Sequence, residues 1–117
     1  MDEFDAILLK TIDKTLRYML GDRNALIIYD YLEKSGCPFD EIPLKLDLFS
    51  AKIRDLLGTG RGQILGAPTI LEDTIIEALA QELELSPEKG GVFRDRIRRM
   101  EESYNSQRSK ILKGKAK

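Results

Sequence analysis

The chain has 117 residues, 42% hydrophobic and 33% charged, with a formal net charge of −1; that is the size of one domain, with apolar material for one core. It has no histidine and one cysteine, which excludes imidazole-based catalysis, imidazole zinc sites and an intrachain disulfide. The near-zero total hides a split: up to Pro87 there are 9 Lys/Arg against 16 Asp/Glu, and from Glu88 to Lys117 there are 10 against 4, an acidic body followed by a basic last third.

The opening Met1-Asp2-Glu3-Phe4-Asp5 is acidic, whereas a secretory signal begins basic and then turns apolar. No apolar run approaches the roughly 20 residues that cross a bilayer. The expectation is a cytoplasmic protein that makes no membrane contact. A first helix is predicted from Asp2 to Leu20, with Phe4, Ile7, Leu8, Ile12, Leu16 and Met19 on one broad apolar face. Gly21 is placed to end it. A second helix follows, capped by Asp22 or Asn24. Its interior, Ala25 to Tyr29 with Tyr31 and Leu32, is apolar nearly all round, which predicts the middle of the core. Gly36-Cys37-Pro38 reads as a turn. Cys37 reads as a small residue within it, since nothing nearby in the sequence lowers its pKa.

Phe39 to Leu46 is mixed, with Pro43 breaking any early helix. A third helix is expected over Asp47 to Leu57, with Leu48, Phe49, Ile53, Leu56 and Leu57 inward. Gly58-Thr59-Gly60-Arg61-Gly62 then interrupts the pattern. Backbone N–H groups in such a loop can hold an anion. No strand precedes it and no Gly-Lys-Ser/Thr follows it, so the reading is a helix connection, with an anion-binding enzyme the least favoured alternative. In the fourth helix Pro68 suits the first turn and Thr69 with Glu72 has capping-box spacing. Ile70, Leu71, Ile75, Ala78, Leu79 and Leu83 form its buried stripe, and Ser86-Pro87 ends it. Gly90-Gly91 is expected to act as a loose joint.

The last helix is predicted from Val92 to Leu112. Phe93, Ile97, Met100, Tyr104, Gln107 and Ile111 recur at alternating spacings of four and three, a narrow heptad seam. Lys113 to Lys117 is expected to fray. Arg94, Arg96, Arg98 and Arg99 are the densest charge cluster. On a helix they flank the seam on both sides, Arg94 and Arg98 on one and Arg96 and Arg99 on the other. That is the edge pattern of a helix–helix contact, whereas a nucleic-acid helix would gather its arginines in one stripe. Asp95 and Glu102 stand four residues from Arg99 and Arg98 as helical partners. The pairs Asp73 with Glu77, and Asp30 with Glu33, read as solvated helix faces.

From Leu20-Gly21 through Ala25–Leu32, Ile42-Pro43, Phe49 and a Leu-Gly pair to Ile70-Leu71-Glu72, Ile75-Ile76, Leu79 and Leu83, the spacing resembles a small archaeal helical family, the "Nitrosopumilus output domain". The resemblance covers about Leu20 to Leu85. It implies a helical, archaeal and regulatory domain and no catalytic residues. This chain departs from the pattern in having two Leu-Gly pairs, Leu57-Gly58 and Leu65-Gly66. Matching the second makes Gly58 to Gln63 an extra turn.

The sequence therefore reads as an all-α helical bundle of about five helices with a long basic C-terminal helix. Residues 1–87 form the acidic core and 88–117 the basic helix and tail. It reads as a regulatory interaction module rather than an enzyme, without cofactor or metal. Phe93, Ile97, Met100 and Tyr104 are the expected anchors on a protein partner, most simply a second copy, with Arg96 facing Glu101 of that copy. The alternative is a nucleic-acid-binding protein using Arg94, Arg96, Arg98 and Arg99.

Overall fold

The computed structural model describes residues 2–57, 68–87 and 90–115. The glycine-rich segment Gly58–Gly62 and the pair Leu65-Gly66 lie outside these residues, and so do the side chains of Leu57, Pro68, Thr69 and residues from 109 on. Five α-helices follow in order: α1 (Glu3–Leu20), α2 (Asp22–Lys34), α3 (Leu46–Leu57), α4 (Pro68–Leu83) and α5 (Phe93–Lys115). A 3₁₀ helix, Phe39–Leu44, links α2 to α3. No strand occurs among the described residues, and the all-α class is as expected. The 3₁₀ helix falls where the sequence reads as mixed, with Pro43 inside it, and is a short connector of the kind 3₁₀ turns commonly form.

Helix α1 is capped by Asp2, whose side chain accepts from the Phe4 N–H at 3.3 Å, with Glu3 and Asp5 in the first turn. Gly21 alone joins α1 to α2. Its φ of 88° and ψ of 158° lie in a region open only to glycine, so the reversal needs no longer loop. The predicted side-chain cap on α2 is absent: Asp22 is the first helical residue and Gly21 occupies the cap. The Asn24 amide instead donates to the Leu20 carbonyl at 2.9 Å.

Two helix ends share one geometry. After α2, the Cys37 N–H reaches the Leu32 carbonyl at 2.8 Å and the Gly36 N–H that of Glu33 at 3.2 Å. Gly36 has a φ of 91°, as a Schellman cap requires, and Cys37 is buried as the apolar residue that follows it. After α4, the Leu85 N–H reaches the Ala80 carbonyl at 2.8 Å and the Glu84 N–H that of Gln81 at 3.3 Å. Here Glu84 takes the left-handed position, at φ 56°. The helix thus stops at Leu83 by its own cap, before Ser86-Pro87.

Helix α1 packs most extensively on α4 and α2, and α5 lies on α3 and α4. The core is centred on Phe4, Leu8, Ile12 and Leu16 of α1, with Phe49 and Ile53 of α3, Ile75 and Leu79 of α4, and Ile97 of α5. Helix α2 departs from expectation. Ala25, Ile28 and Leu32 are buried, but Leu26 and Ile27 are more than half exposed. Its neighbours, α1, α3 and the 3₁₀ helix, cover one face, so it forms an outer layer. In α4 the buried stripe includes Ile76 and Ala80, and Ile70 faces outward. No described helix is long and apolar enough to cross a membrane.

Candidate functional site

Helix α5 carries both sequence-derived candidate sites, and the fold uses most of each internally. Phe93, Ile97 and Met100 are at most 2% exposed. Phe93 lies against Phe49, ring centroids 6.0 Å apart. Tyr104 is half-buried, its ring 6.0 Å from that of Phe4, and its hydroxyl donates to Glu3 Oε1 at 2.6 Å. Burial of such side chains contributes roughly 1.5–3 kcal/mol each. The seam expected to meet a partner is therefore covered by α3, α4 and the start of α1. Beyond Tyr104 the seam position Gln107 is exposed, and Arg108 pairs with Glu3 at 2.7 Å. Ile111 lies outside the described side chains.

The arginine cluster is also engaged within the chain. Arg94 donates to Asp47 and to its neighbour Asp95. Arg96 Nη1 meets Asp73 Oδ1 at 2.6 Å with only 11% of its side chain exposed. Arg98 binds Glu101 at 2.9 Å and donates to the Pro43 carbonyl. Arg99 donates to the Gly90 carbonyl at 2.8 Å. These contacts fix α5 on the acidic body from both sides of the seam. Within the chain, Arg96 pairs with Asp73 of α4 and Glu101 with Arg98 of α5 itself. The bond to the Gly90 carbonyl places Arg99 over the Gly90-Gly91 joint. Asp73 is drawn into the Arg96 pair, while Glu77 is exposed as expected and Asp30 pairs with Lys34.

Where α5 passes the start of α1, carboxylate oxygens of Asp2, Asp5 and Glu101 lie within 4.8 Å of one another. Asp5 Oδ1 is buried without a hydrogen-bond partner. Burial first, then the nearby Asp2 and Glu101 charges, push the Asp5 carboxyl above its ordinary range, against the lowering effect of Arg98. Hard cations favour oxygen ligands. Here, however, Asp2 caps α1 and Glu101 is held by Arg98, so the trio reads as part of the α1–α5 junction.

Two other polar clusters are structural. Glu72, 3% exposed, accepts from the Ser50 hydroxyl and from Arg54 Nη2, the latter at 2.8 Å. It joins α4 to α3, rather than reaching back to Thr69 in a capping box. Its place three and four residues before Ile75 and Ile76 marks it as inward-facing, a signal present in the helical spacing. Asp13 accepts from Tyr29 at 2.7 Å and Arg17 at 2.9 Å. Burial alone would raise its carboxyl pKa, but these bonds outweigh it and hold the pKa low. Burial pushes the Cys37 thiol up, which fits a packing residue and not a nucleophile. Against family models, curated proteins and solved structures, the chain matches none.

Proposed function

We propose that the chain is a small cytoplasmic regulatory module that acts by binding protein, and that the binding element is the outer end of α5 rather than its buried seam. One observation carries this reading. Helix α5 is anchored through Met100 and Tyr104 yet remains helical to Lys115, in a molecule 58 Å long and 26 × 22 Å across. Beyond the Arg108–Glu3 pair, residues 109–115 add about 10 Å of helix at 1.5 Å per residue. After Glu102 the sequence has Arg108, Lys110, Lys113, Lys115 and Lys117 and no acid. Positive charge at a helix C-terminus also matches the helix dipole.

The fitting partner is an acidic protein surface, and the simplest is the acidic body of a second copy. The resemblance to the archaeal output-domain family points the same way, toward regulation without catalysis. Nucleic acid draws no support from Arg94, Arg96, Arg98 and Arg99, because each already has a partner in its own chain. The test is light scattering at tens of micromolar, in about 0.05 M and 0.5 M salt, between which the screening length falls roughly threefold. The intact chain should dimerise at low salt and dissociate at high salt. A chain ending at Arg108 should be monomeric with unchanged thermal stability. An intact chain that is monomeric in both salts would overturn the self-association reading.

A further inference from the structure

A groove of about 380 Å³ runs between α1 and α4, within the size range of small-ligand sites. On the α1 side Ile7, Thr11 and Thr15 fall on one line at four-residue spacing, and Lys10 and Lys14 run beside them. The α4 side is formed by Ala78, Gln81 and Glu82. Small side chains at Thr11, Thr15 and Ala78 leave the space open between two helices that otherwise pack closely.

Two of the polar groups in this groove are hydroxyls of buried threonines. Thr11 and Thr15 are about 5% exposed, and among the described residues neither hydroxyl has a hydrogen-bond partner. Neither is fully enclosed, since among the described residues Asp5 Oδ1 alone is both unpartnered and sealed from solvent. Each hydroxyl oxygen thus keeps some solvent exposure, and both residues line the groove. A helical threonine commonly donates back to the carbonyl four residues earlier, as Thr74 does to Ile70 at 2.8 Å; these two leave that donor free.

The lysines are unusual in the same way. Lys34, Lys45 and Lys52 each have a carboxylate partner. Lys10 and Lys14 have none among the described residues, although the body around them is acidic. Two buried threonines and two exposed lysines of α1, with Gln81 of α4 opposite, line one space. We infer that the α1–α4 groove is a binding site for a small oxyanion-bearing molecule, a phosphate monoester or a carboxylate. The oxyanion would sit over Thr11 and Thr15 between the lysines. Glu82 would accept from a hydroxyl or amino group elsewhere on the ligand, which disfavours a bare polyanion.

The experiment is an NMR titration of the full chain with inorganic phosphate, glycerol 3-phosphate and glycerate, against sodium chloride at matched ionic strength. The amides of Thr11, Thr15 and Gln81 should shift saturably with an oxyanion and not with chloride. Saturation by the two phosphate compounds alone would assign a phosphate site, by glycerate alone a carboxylate site, and by all three a shared oxyanion site. Thr11→Val/Thr15→Val keeps the side-chain shape and should weaken binding at least about tenfold, close to 1.4 kcal/mol. Lys10→Gln/Lys14→Gln changes exposed residues and should weaken it similarly without altering the melting temperature. Absence of saturable shifts up to tens of millimolar, or binding unchanged in the lysine variant, would overturn the proposal.

Discussion

Asp5 shows how a single side chain can work against the fold around it. Its carboxylate lies near those of Asp2 and Glu101, with one oxygen buried and unbonded, so its charged form is disfavoured in the folded state. A carboxyl whose folded pKa is raised lowers stability once pH exceeds that pKa, and the loss disappears as pH falls through it. Asp5→Asn should therefore raise the melting temperature at pH 7. The gain should shrink to nothing as the pH is lowered through the ordinary carboxyl range, where Asp5 is protonated whether folded or not. Thermal melts of both proteins from pH 3 to pH 7 would check this, and an Asn variant less stable at pH 7 would show that the Asp5 charge is satisfied. The sequence shows Asp2 and Asp5 only as helix-favourable acids in a first turn. The approach of Glu101, 96 positions further on from Asp5, is a tertiary event with no local trace.

At the scale of elements, helix positions are readable because apolar spacing and glycines mark them, and faces are readable where a helix has neighbours on a broad side. Helix α1 meets both conditions, and its apolar face is the core. Helix α2 does not. Its run Ala25–Leu32, interrupted only by Asp30, is apolar nearly all round, so spacing chooses a face poorly, and the packing of α1 and α3 decides that Ile28 is buried while Ile27 is not. The seam of α5 is readable as a contact, but its spacing does not say whether the contact lies within one chain or between two. A paired measurement separates these cases. Ile97→Ala should cost about 2–5 kcal/mol, as buried truncations do, whereas Ile27→Ala should stay within about 0.5 kcal/mol, as surface changes do. Urea denaturation at low micromolar concentration reads both. An Ile97 variant as stable as the Ile27 variant would mean that α5 is not docked on its own body.

Over the whole molecule, the contrast between an acidic body and a basic last third is visible in composition alone, and the fold turns it into attachment. Arg94 meets Asp47 and Arg96 meets Asp73, acids remote in sequence, so composition shows that the parts attract but not which residues meet. An exposed pair such as Arg94 with Asp47 contributes little, about 0–1 kcal/mol, whereas the Arg96 side chain is largely buried in its pair; for both, arginines already beside carboxylates present less positive field to a phosphate backbone. The net charge of −1 gives no long-range steering toward DNA. Duplex DNA binding should therefore be no tighter than non-specific levels, roughly 10⁻⁴–10⁻⁶ M at physiological salt. Arg94→Ala/Arg98→Ala should leave that affinity unchanged, because those side chains are turned to Asp47, Glu101 and the Pro43 carbonyl. Any residual binding should reside in the lysines after Arg108 and disappear when the chain ends there. Fluorescence anisotropy with a labelled duplex across a salt series measures all three. Nanomolar binding that falls steeply with salt and is lost in the double arginine variant would mean that these arginines leave their carboxylates for phosphate, and that nucleic acid, not protein, is the partner.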